Sequence, residues 1–300
     1  MNSTTMRRAG LSIAVAAALT GVAACGSSGG SGGGESEGKG KGKGSPALSP
    51  IAALRTIENK TDNADSAKVE GKTVMGTQMS MDMDGAMAWK DGITGNVTAT
   101  LTGGTQAEQM KQMGQSEIDY RYLKTGFYAN MGDEFASQAG GGKHWIEYDY
   151  ATLAEMGGAA GSAFKDQMQN TTPNQSVKML LASGDVKRVG EETVRGTTTT
   201  HYSGVVDVAD FTGKNADLDA GQLAELKKQF SQAGMSTETI DIWVNGDDLL
   251  VKKTEKADMK TGAFSQTVYY SDYGTPVTVE KPPASDTVSF KDLMKQQPQA

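Results

Sequence analysis

The segment TIDIWVNGDD at residues 239–248 shows the pattern on which most of this sequence is built. Apolar Ile240, Ile242 and Val244 occupy every second position, and the Asn245–Asp248 stretch that follows is typical of a tight hairpin turn. Successive side chains of a strand point to opposite faces. The segment therefore predicts an antiparallel strand with one apolar face and one wet face, ending in a turn.

The same alternation recurs in the first half of the chain. Methionines at 79, 81, 83 and 87 are separated by small or polar residues in the segment MSMDMDGAMAW, which ends at Trp89. Ile118, Tyr120 and Tyr122 alternate with charged residues in the same way. These segments predict further strands of one antiparallel sheet.

Helical spacing interrupts the strands. Ser49-Pro50 is a good helix start because serine caps the free amides and proline fits the first turn, and apolar residues then recur at Ile51, Leu54 and Ile57. Further helical candidates are Tyr150–Met156, Ser162–Gln169, Pro173–Ala182 and Ala220–Ala233. The predicted fold class is α+β, an antiparallel sheet with helices available to cover one face.

The carboxy-terminal half resembles a known family. The segments that carry the resemblance are residues 186–196 (VKRVGEETVRG), 200–207, 242–252 (IWVNGDDLLVK) and 270–279, followed by Pro282-Pro283. They are similar to the actinobacterial lipoprotein family of LppX and LprG, which is related in fold to the LolA and LolB lipoprotein carriers. The resemblance implies a strongly curved antiparallel β-sheet, a half-barrel, with helices covering its concave face. It also implies space for acyl chains between sheet and helices, and it brings no catalytic residues.

The amino terminus has the layout of an export signal. Arg7 and Arg8 precede the short, mostly apolar segment Leu11–Leu19, which falls short of the roughly 20 apolar residues that a spanning helix needs. Val22-Ala23-Ala24-Cys25 resembles a lipobox, and Cys25 is the sole cysteine. We therefore expect residues 1–24 to be a signal peptide. Diacylglycerol on Cys25 would then hold the protein on the outer face of the cell membrane.

Residues 25–45 are predicted to be the lipidated cysteine and a flexible tether, and residues 46–300 a single domain. Residues 26–44 contain only glycine, serine, glutamate and lysine, so they offer no apolar side chain to bury. Loss of the two signal arginines leaves 27 basic against 36 acidic groups, a net charge of −9. Such a surface repels nucleic acid, which we exclude as a partner, and no protein partner is indicated.

Catalysis and metal binding find little support in the sequence. The two histidines, His144 and His201, stand 57 positions apart, each inside a predicted strand and each beside an aromatic residue. Two histidines without a free cysteine make a poor zinc set. Acid pairs such as Asp247-Asp248 fall in turns, where aspartate is favoured for backbone reasons. We expect no enzyme activity, no metal and no cofactor.

The methionines leave three interpretations open. They fill an ordinary core, they line a deformable lipid pocket, or the Met-x-Met-x-Met spacing captures copper(I). The leading hypothesis is an extracytoplasmic lipoprotein that binds or carries a lipid or other apolar ligand. A non-catalytic interaction or sensory module with a filled core is the alternative. The pocket candidates are Met75, Met79, Met81, Met83, Met87, Ile118, Tyr120, Tyr122, Ile240 and Ile242.

Cys25→Ser tests the anchor. A hydroxyl cannot take the thioether-linked lipid, so we expect the variant to stay uncleaved at the signal or to be released into the medium. Cell fractionation with immunoblotting measures this. A Cys25→Ser protein that is still cleaved and still retained on the membrane would contradict the lipobox interpretation.

Overall fold

One twelve-stranded sheet organises the described part of the chain, which in this computed structural model is residues 49–112, 114–170, 172–207, 231 and 234–296. The strands are β1 (Ser66–Met75), β2 (Met79–Ala88), β3 (Thr94–Gly103), β4 (Glu117–Leu123), β5 (Gly126–Asn130), β6 (Trp145–Asp149), β7 (Val186–Val194), β8 (Thr197–Asp207), β9 (Thr237–Val244), β10 (Leu250–Met259), β11 (Gly262–Ser271) and β12 (Thr287–Ser289). Their order is β12-β6-β5-β4-β3-β2-β1-β11-β10-β9-β8-β7. Neighbours are antiparallel except β12 and β6, so the predicted α+β class is confirmed.

Six helices lie among the described residues: α1 (Pro50–Asp62), α2 (Thr105–Gln112), α3 (Gly132–Gln138), α4 (Tyr150–Asn170), α5 (Gln175–Ser183) and α6 (Phe290–Gln296). At the start of α1 the Ser49 side chain accepts a hydrogen bond from the Ala52 amide, as the sequence predicted. The two helices predicted within residues 150–169 are the two halves of α4, which is broken at Gly158 by non-helical backbone angles.

Not every helical prediction can be compared with the structure. The candidate Ala220–Ala233 falls almost wholly outside the described residues. The short helices α2, α3 and α6 were not predicted, because seven or eight residues hold too few turns for a clear periodicity.

The strand register places the alternating apolar positions of the predicted strands on one face. Met83 of β2 lies opposite Gly71 of β1 and Ala99 of β3, and Ala99 lies opposite Ile118 of β4. On the other side of β1, Gly71 lies opposite Val268, which lies opposite Lys253. Directly opposed residues share a face. The sheet therefore has one continuous concave face, which the helices cover in part.

A first apolar cluster packs α1 and α5 against strands β8 to β11. Leu54, Ile57, Val177 and Leu180 of the helices are fully buried there. A side chain at Gly204 of β8 would collide with Leu180, since its Cβ would lie 2.7 Å from the Leu180 Cδ2. The glycine thus lets α5 approach the sheet closely.

A second apolar cluster fills the opposite end of the concave face. Phe127 stacks on Tyr148 with ring centroids 4.5 Å apart, and Tyr148 stacks on Phe290 at 5.0 Å. Ile118, Ile146 and partly buried residues of α2, α3, α4 and α6 complete this cluster. The sheet is therefore covered by helices at two separate ends, each with its own core.

Two glycines mark the most crowded part of the sheet, at the pairing of β2 with β3. A Cβ on Gly85 would lie 2.1 Å from the Asn96 carbonyl oxygen, and one on Gly95 would lie 2.6 Å from the Ala86 oxygen. Neither distance leaves room for a side chain. The neighbouring backbone can come this close only where the strands bend and twist strongly.

A strap of residues 274–283 crosses the convex face and joins β11 to the far edge of the sheet. The Asn96 amide donates to the Thr278 oxygen at 3.0 Å, and Arg121 donates to the Glu280 oxygen at 3.0 Å. Beyond the strap, β12 pairs in parallel with β6, and α6 turns onto the concave face. The strap thereby carries the end of the chain across the sheet to the second cluster.

Gly85→Ala tests the curvature. Its methyl group would overlap the Asn96 carbonyl, so we expect a loss of about 1–3 kcal/mol in unfolding free energy, as in overpacked interiors. Gly103→Ala is the matched control in the same strand pair, because its nearest neighbour would be the Ser80 Cβ at 4.0 Å. Urea denaturation of both variants measures the difference, and equal stabilities would contradict the crowded bend.

Candidate functional site

All ten pocket candidates lie on the concave face. Met75 of β1 lies opposite Met79 of β2, and the remaining methionines follow at every second position. Tyr120 and Tyr122 lie opposite Val97 and Gly95 of β3, and so belong to the same face. The pairing continues through β11, β10 and β9 to Ile240 and Ile242.

The structure separates these candidates into packed and accessible residues. Ile240 and Ile242 are completely buried in the first cluster, and Ile118 is buried in the second. Met75 is buried with Ala257 and Phe264 in a small third cluster. In contrast, the side chains of Met79, Met81, Met83 and Met87 are only partly buried. We call these four residues of β2 the methionine patch.

The methionine patch lies between the two helix-covered ends of the sheet. One neighbouring strand contributes Gly71, and a Cβ built there would lie 3.3 Å from the Met83 Cε. The long Met83 side chain therefore extends over the space that this glycine leaves free. Such a surface can be reshaped by rotation of unbranched side chains, without displacement of the backbone.

Two tyrosines form the border of the patch toward the second cluster. Tyr120 and Tyr122 stack at 6.0 Å, and both keep part of their surface accessible to solvent. Burial nevertheless raises the pKa of Tyr120 to about 12 and raises the pKa of Tyr122 further.

A buried polar cluster borders the patch on its other side. The Lys253 ammonium donates to Glu255 and to the Ser176 hydroxyl, at 3.0 Å in each case, and that hydroxyl donates to Glu255 at 2.5 Å. Gln266, opposite Glu255, donates to the Thr73 hydroxyl at 3.2 Å. All five side chains are buried. The triangle of Lys253, Glu255 and Ser176 satisfies its own charges, which a buried ion pair requires.

Glu238 adds a second buried acid to this region. Its side chain is 1% exposed, and within the described part of the chain its Oε2 atom has no hydrogen-bond partner. Burial, reinforced by the charge of Glu255, raises the pKa of Glu238 to about 8. Glu238 lies opposite Ala257 of the third cluster, in the same rung of the sheet as Met75 and Met79.

These polar residues are not among the site residues predicted from the sequence, although one signal was present. Glu238 stands two positions before Ile240, so the alternation itself assigns it to the apolar face. Isolated charges are costly to bury, which favours ending the strand before such a residue. The partner that makes Lys253 and Glu255 acceptable inside is Ser176 of α5, which lies 77 positions from Lys253 along the chain.

Both histidines are held between carboxylates. The His201 ring lies 2.8 Å from Glu192 and 2.8 Å from Asp241 and stacks on Trp243 at 4.3 Å, on the convex face. His144 lies directly before β6 and not inside a strand, because its amide and its ring both bind Asp286 rather than a strand partner. These contacts give both histidines a structural role as hydrogen-bond partners of carboxylates.

The residues that the structure describes contain no group of three or more His, Cys, Asp or Glu side chains arranged to hold a metal ion. In the same residues, no helix is long and apolar enough to cross a membrane.

Comparison with known proteins identifies relatives in Streptomyces. A lipoprotein described from Streptomyces coelicolor is 46% identical over 310 residues, which cover 99% of each chain. The chain belongs to this lipoprotein family. An uncharacterised 31.2 kDa protein from the rplA–rplJ intergenic region of Streptomyces griseus is 58% identical over 249 residues, covering 83% of this chain and 81% of that protein. No family model matches the sequence.

Two solved mycobacterial lipoproteins are similar to this member of the family. LppX of Mycobacterium tuberculosis has a TM-score of 0.46 at 14% identity and covers 77% of this chain and 97% of its own. LprF of Mycobacterium bovis has a TM-score of 0.44 at 16% identity, covering 80% and 99%. LppX is thus among the structures that the chain resembles, as the sequence predicted. The signal peptide, Cys25 and the tether lie outside the described residues and stay predictions.

The pair of His144 and Asp286 makes the attachment of the carboxy-terminal segment dependent on pH. Its hydrogen bond to Asp286 and nearby carboxylate charge raise the pKa of His144, and the His144 amide and ring lower the pKa of Asp286. The contribution of His144 to the stability of this attachment is fully present below pH about 6.5 and is lost as pH rises through the raised pKa of His144. The contribution of Asp286 to this stability is present above pH about 3.9 and is lost as pH falls through the lowered pKa of Asp286.

We therefore expect residues 284–296 to exchange their amide protons faster as pH rises above the His144 pKa, after correction for intrinsic exchange. NMR titration of the His144 ring in the parent and in Asp286→Asn measures the coupling. The variant should bring the His144 pKa back toward its ordinary value, whereas Asp292→Asn, in α6, should not. An unshifted His144 pKa in the parent would contradict this pH-dependent attachment of the carboxy-terminal segment.

Proposed function

We propose that this protein is a membrane-anchored, extracytoplasmic lipoprotein that binds an acyl chain or similar apolar group on the concave face of its sheet. The observation that carries the proposal is the methionine patch: four partly accessible apolar side chains on the concave face between two packed clusters. We call the space over these side chains the recess. Contiguous accessible apolar surface of this kind is typical of a binding site.

Burial of the ligand supplies the binding energy. Each methylene that leaves water contributes about 0.8 kcal/mol, so a chain of ten carbons gains enough to offset the cost of ordering it. Methionine suits such a site because its flexible thioether adapts to chains of different shape. The neighbouring Gly71 leaves room for Met83 to move across β1.

The two helix-covered clusters give the site its rigid ends. Residues such as Ile242 in the first cluster and Ile146 in the second are completely or almost completely buried, so they resist displacement by a ligand. A chain that enters the recess meets soft methionines in the middle and close-packed walls on both sides. Lipid on Cys25 and the tether of residues 26–44 would keep this recess within reach of the membrane.

Substitution by tryptophan separates a lipid site from a close-packed core. We expect Met79→Trp, Met81→Trp and Met83→Trp to cost little stability and to reduce lipid uptake, because the larger side chain occupies the recess. Met179→Trp is the core reference, since Met179 is 8% exposed within the first cluster, and it should cost about 1–3 kcal/mol. Met294→Trp, at an exposed position, should change neither property. Thermal melts and displacement of a fluorescent fatty-acid methyl ester measure the two effects.

Three other outcomes would redirect the interpretation. A parent protein that takes up no lipid, with patch variants as destabilised as Met179→Trp, would favour the interaction or sensory module with a filled core. Stable patch variants with undiminished uptake would place the site elsewhere. A rise in the melting temperature of the parent on adding copper(I), lost in the patch variants, would favour copper capture.

A further inference from the structure

We propose that the buried polar cluster beside the methionine patch receives the head group of the ligand, and that this head group is uncharged and bears a hydroxyl, as in an acylglycerol. The inference rests on the proposed function and names the ligand class for the same site. It is carried by the position of Glu238, Glu255, Gln266 and Thr73, and by the unpartnered oxygen of Glu238.

The polar cluster and the methionine patch are contiguous on the concave face. One rung of the sheet runs from Glu255 through Gln266 and Thr73 to Met81. The next rung runs from Glu238 through Ala257, Phe264 and Met75 to Met79. The patch on β2 lies three strands from Glu255 of β10 and four strands from Glu238 of β9. An acyl chain that runs from the patch across β1 and β11 therefore spans roughly 15–20 Å to the buried acids, since neighbouring strands are about 4.8 Å apart.

The unpartnered oxygen indicates what is missing from the cluster. Buried side-chain oxygens almost always have a hydrogen-bond partner, and leaving one without a partner is costly. The Glu238 Oε2 atom, in a side chain that is 1% exposed, has no partner among the residues that the structure describes. A hydroxyl donor from a ligand would satisfy it. Met79 and Met81 are partly buried and pack against the third cluster, which lies along this rung. Their side chains can rotate to admit the head group.

The charge of the cluster selects against an anionic head group. Lys253 is already bound to Glu255 and Ser176, so its ammonium is occupied within the triangle. A carboxylate or phosphate would approach Glu255 and Glu238 with no further cation from the described polar cluster to balance it, and desolvating an unpaired anion is costly. A neutral hydroxyl avoids this cost and can both donate to a carboxyl oxygen and accept from the Gln266 amide.

Competition among three lipids with the same C18 chain tests the inference. The full chain, purified and incubated with monooleoylglycerol, methyl oleate and oleate, is analysed by native mass spectrometry at several lipid concentrations. We expect monooleoylglycerol to bind best. Glu238→Met should weaken monooleoylglycerol binding about tenfold, by loss of a buried hydrogen bond, and should leave methyl oleate binding unchanged.

The variants are chosen to retain the fold. Glu238→Met breaks no hydrogen bond of the Oε2 atom among the described residues, so the variant should melt no lower than the parent. Thr73→Val is nearly isosteric and tests the cluster from its other end. Glu117→Met is the control, an exposed acid on the convex face. Equal binding of monooleoylglycerol and methyl oleate, or a preference unchanged in both cluster variants, would overturn the head-group inference and leave the apolar site standing. Failure of the parent to bind any of the three lipids would overturn the proposed function and the inference with it.

Discussion

An open antiparallel sheet with one apolar face is stable only where that face is removed from water, and this constraint organises the whole molecule. The sheet described here is twelve strands wide, and no disulfide is possible because the chain has one cysteine. Helices α1 and α5 cover one end of the face, and α2, α3, α4 and α6 contribute to the cover of the other. Between these two ends, the backbone of β2 and β3 comes so close at Gly85 and Gly95 that neither position has room for a side chain. The methionine patch lies where neither cluster reaches.

In the polar cluster, the need to bury the concave face is opposed by the electrostatic cost of removing charged groups from water. Lys253 and Glu255 lie on the face that the pleat assigns to the interior, so they can be tolerated only as a closed triangle with Ser176. That triangle also couples β10 to α5, which is the helix that closes the first cluster. Glu238 is the exception, because it is buried and no described residue is a hydrogen-bond partner of its Oε2 atom. Proteins retain such costly groups mainly where function requires them.

Much of the fold could be predicted because the strand period is local. The alternation at residues 79–89, 118–122 and 239–244 assigned each methionine, tyrosine and isoleucine to the correct common face, since a strand turns every second side chain the same way. The helix start at Ser49-Pro50 was equally local. His144 was misplaced, and α2, α3 and α6 were missed, because contacts with Asp286 and with the second cluster determine them, and those partners are distant in sequence.

By itself, the sequence determined which residues share a face and the α+β class, and it predicts the lipobox at Cys25, since pleat, capping and cleavage signals depend only on residues a few positions apart. Which part of the apolar face is packed and which stays accessible was decided by tertiary structure. Ile240 and Met81 have the same alternating pattern, yet Ile240 lies under the first cluster and Met81 does not. Burial of Glu238 was decided in the same way. The physical reason is that burial depends on which helix crosses which strand, and that arrangement is set by contacts between residues far apart in the chain.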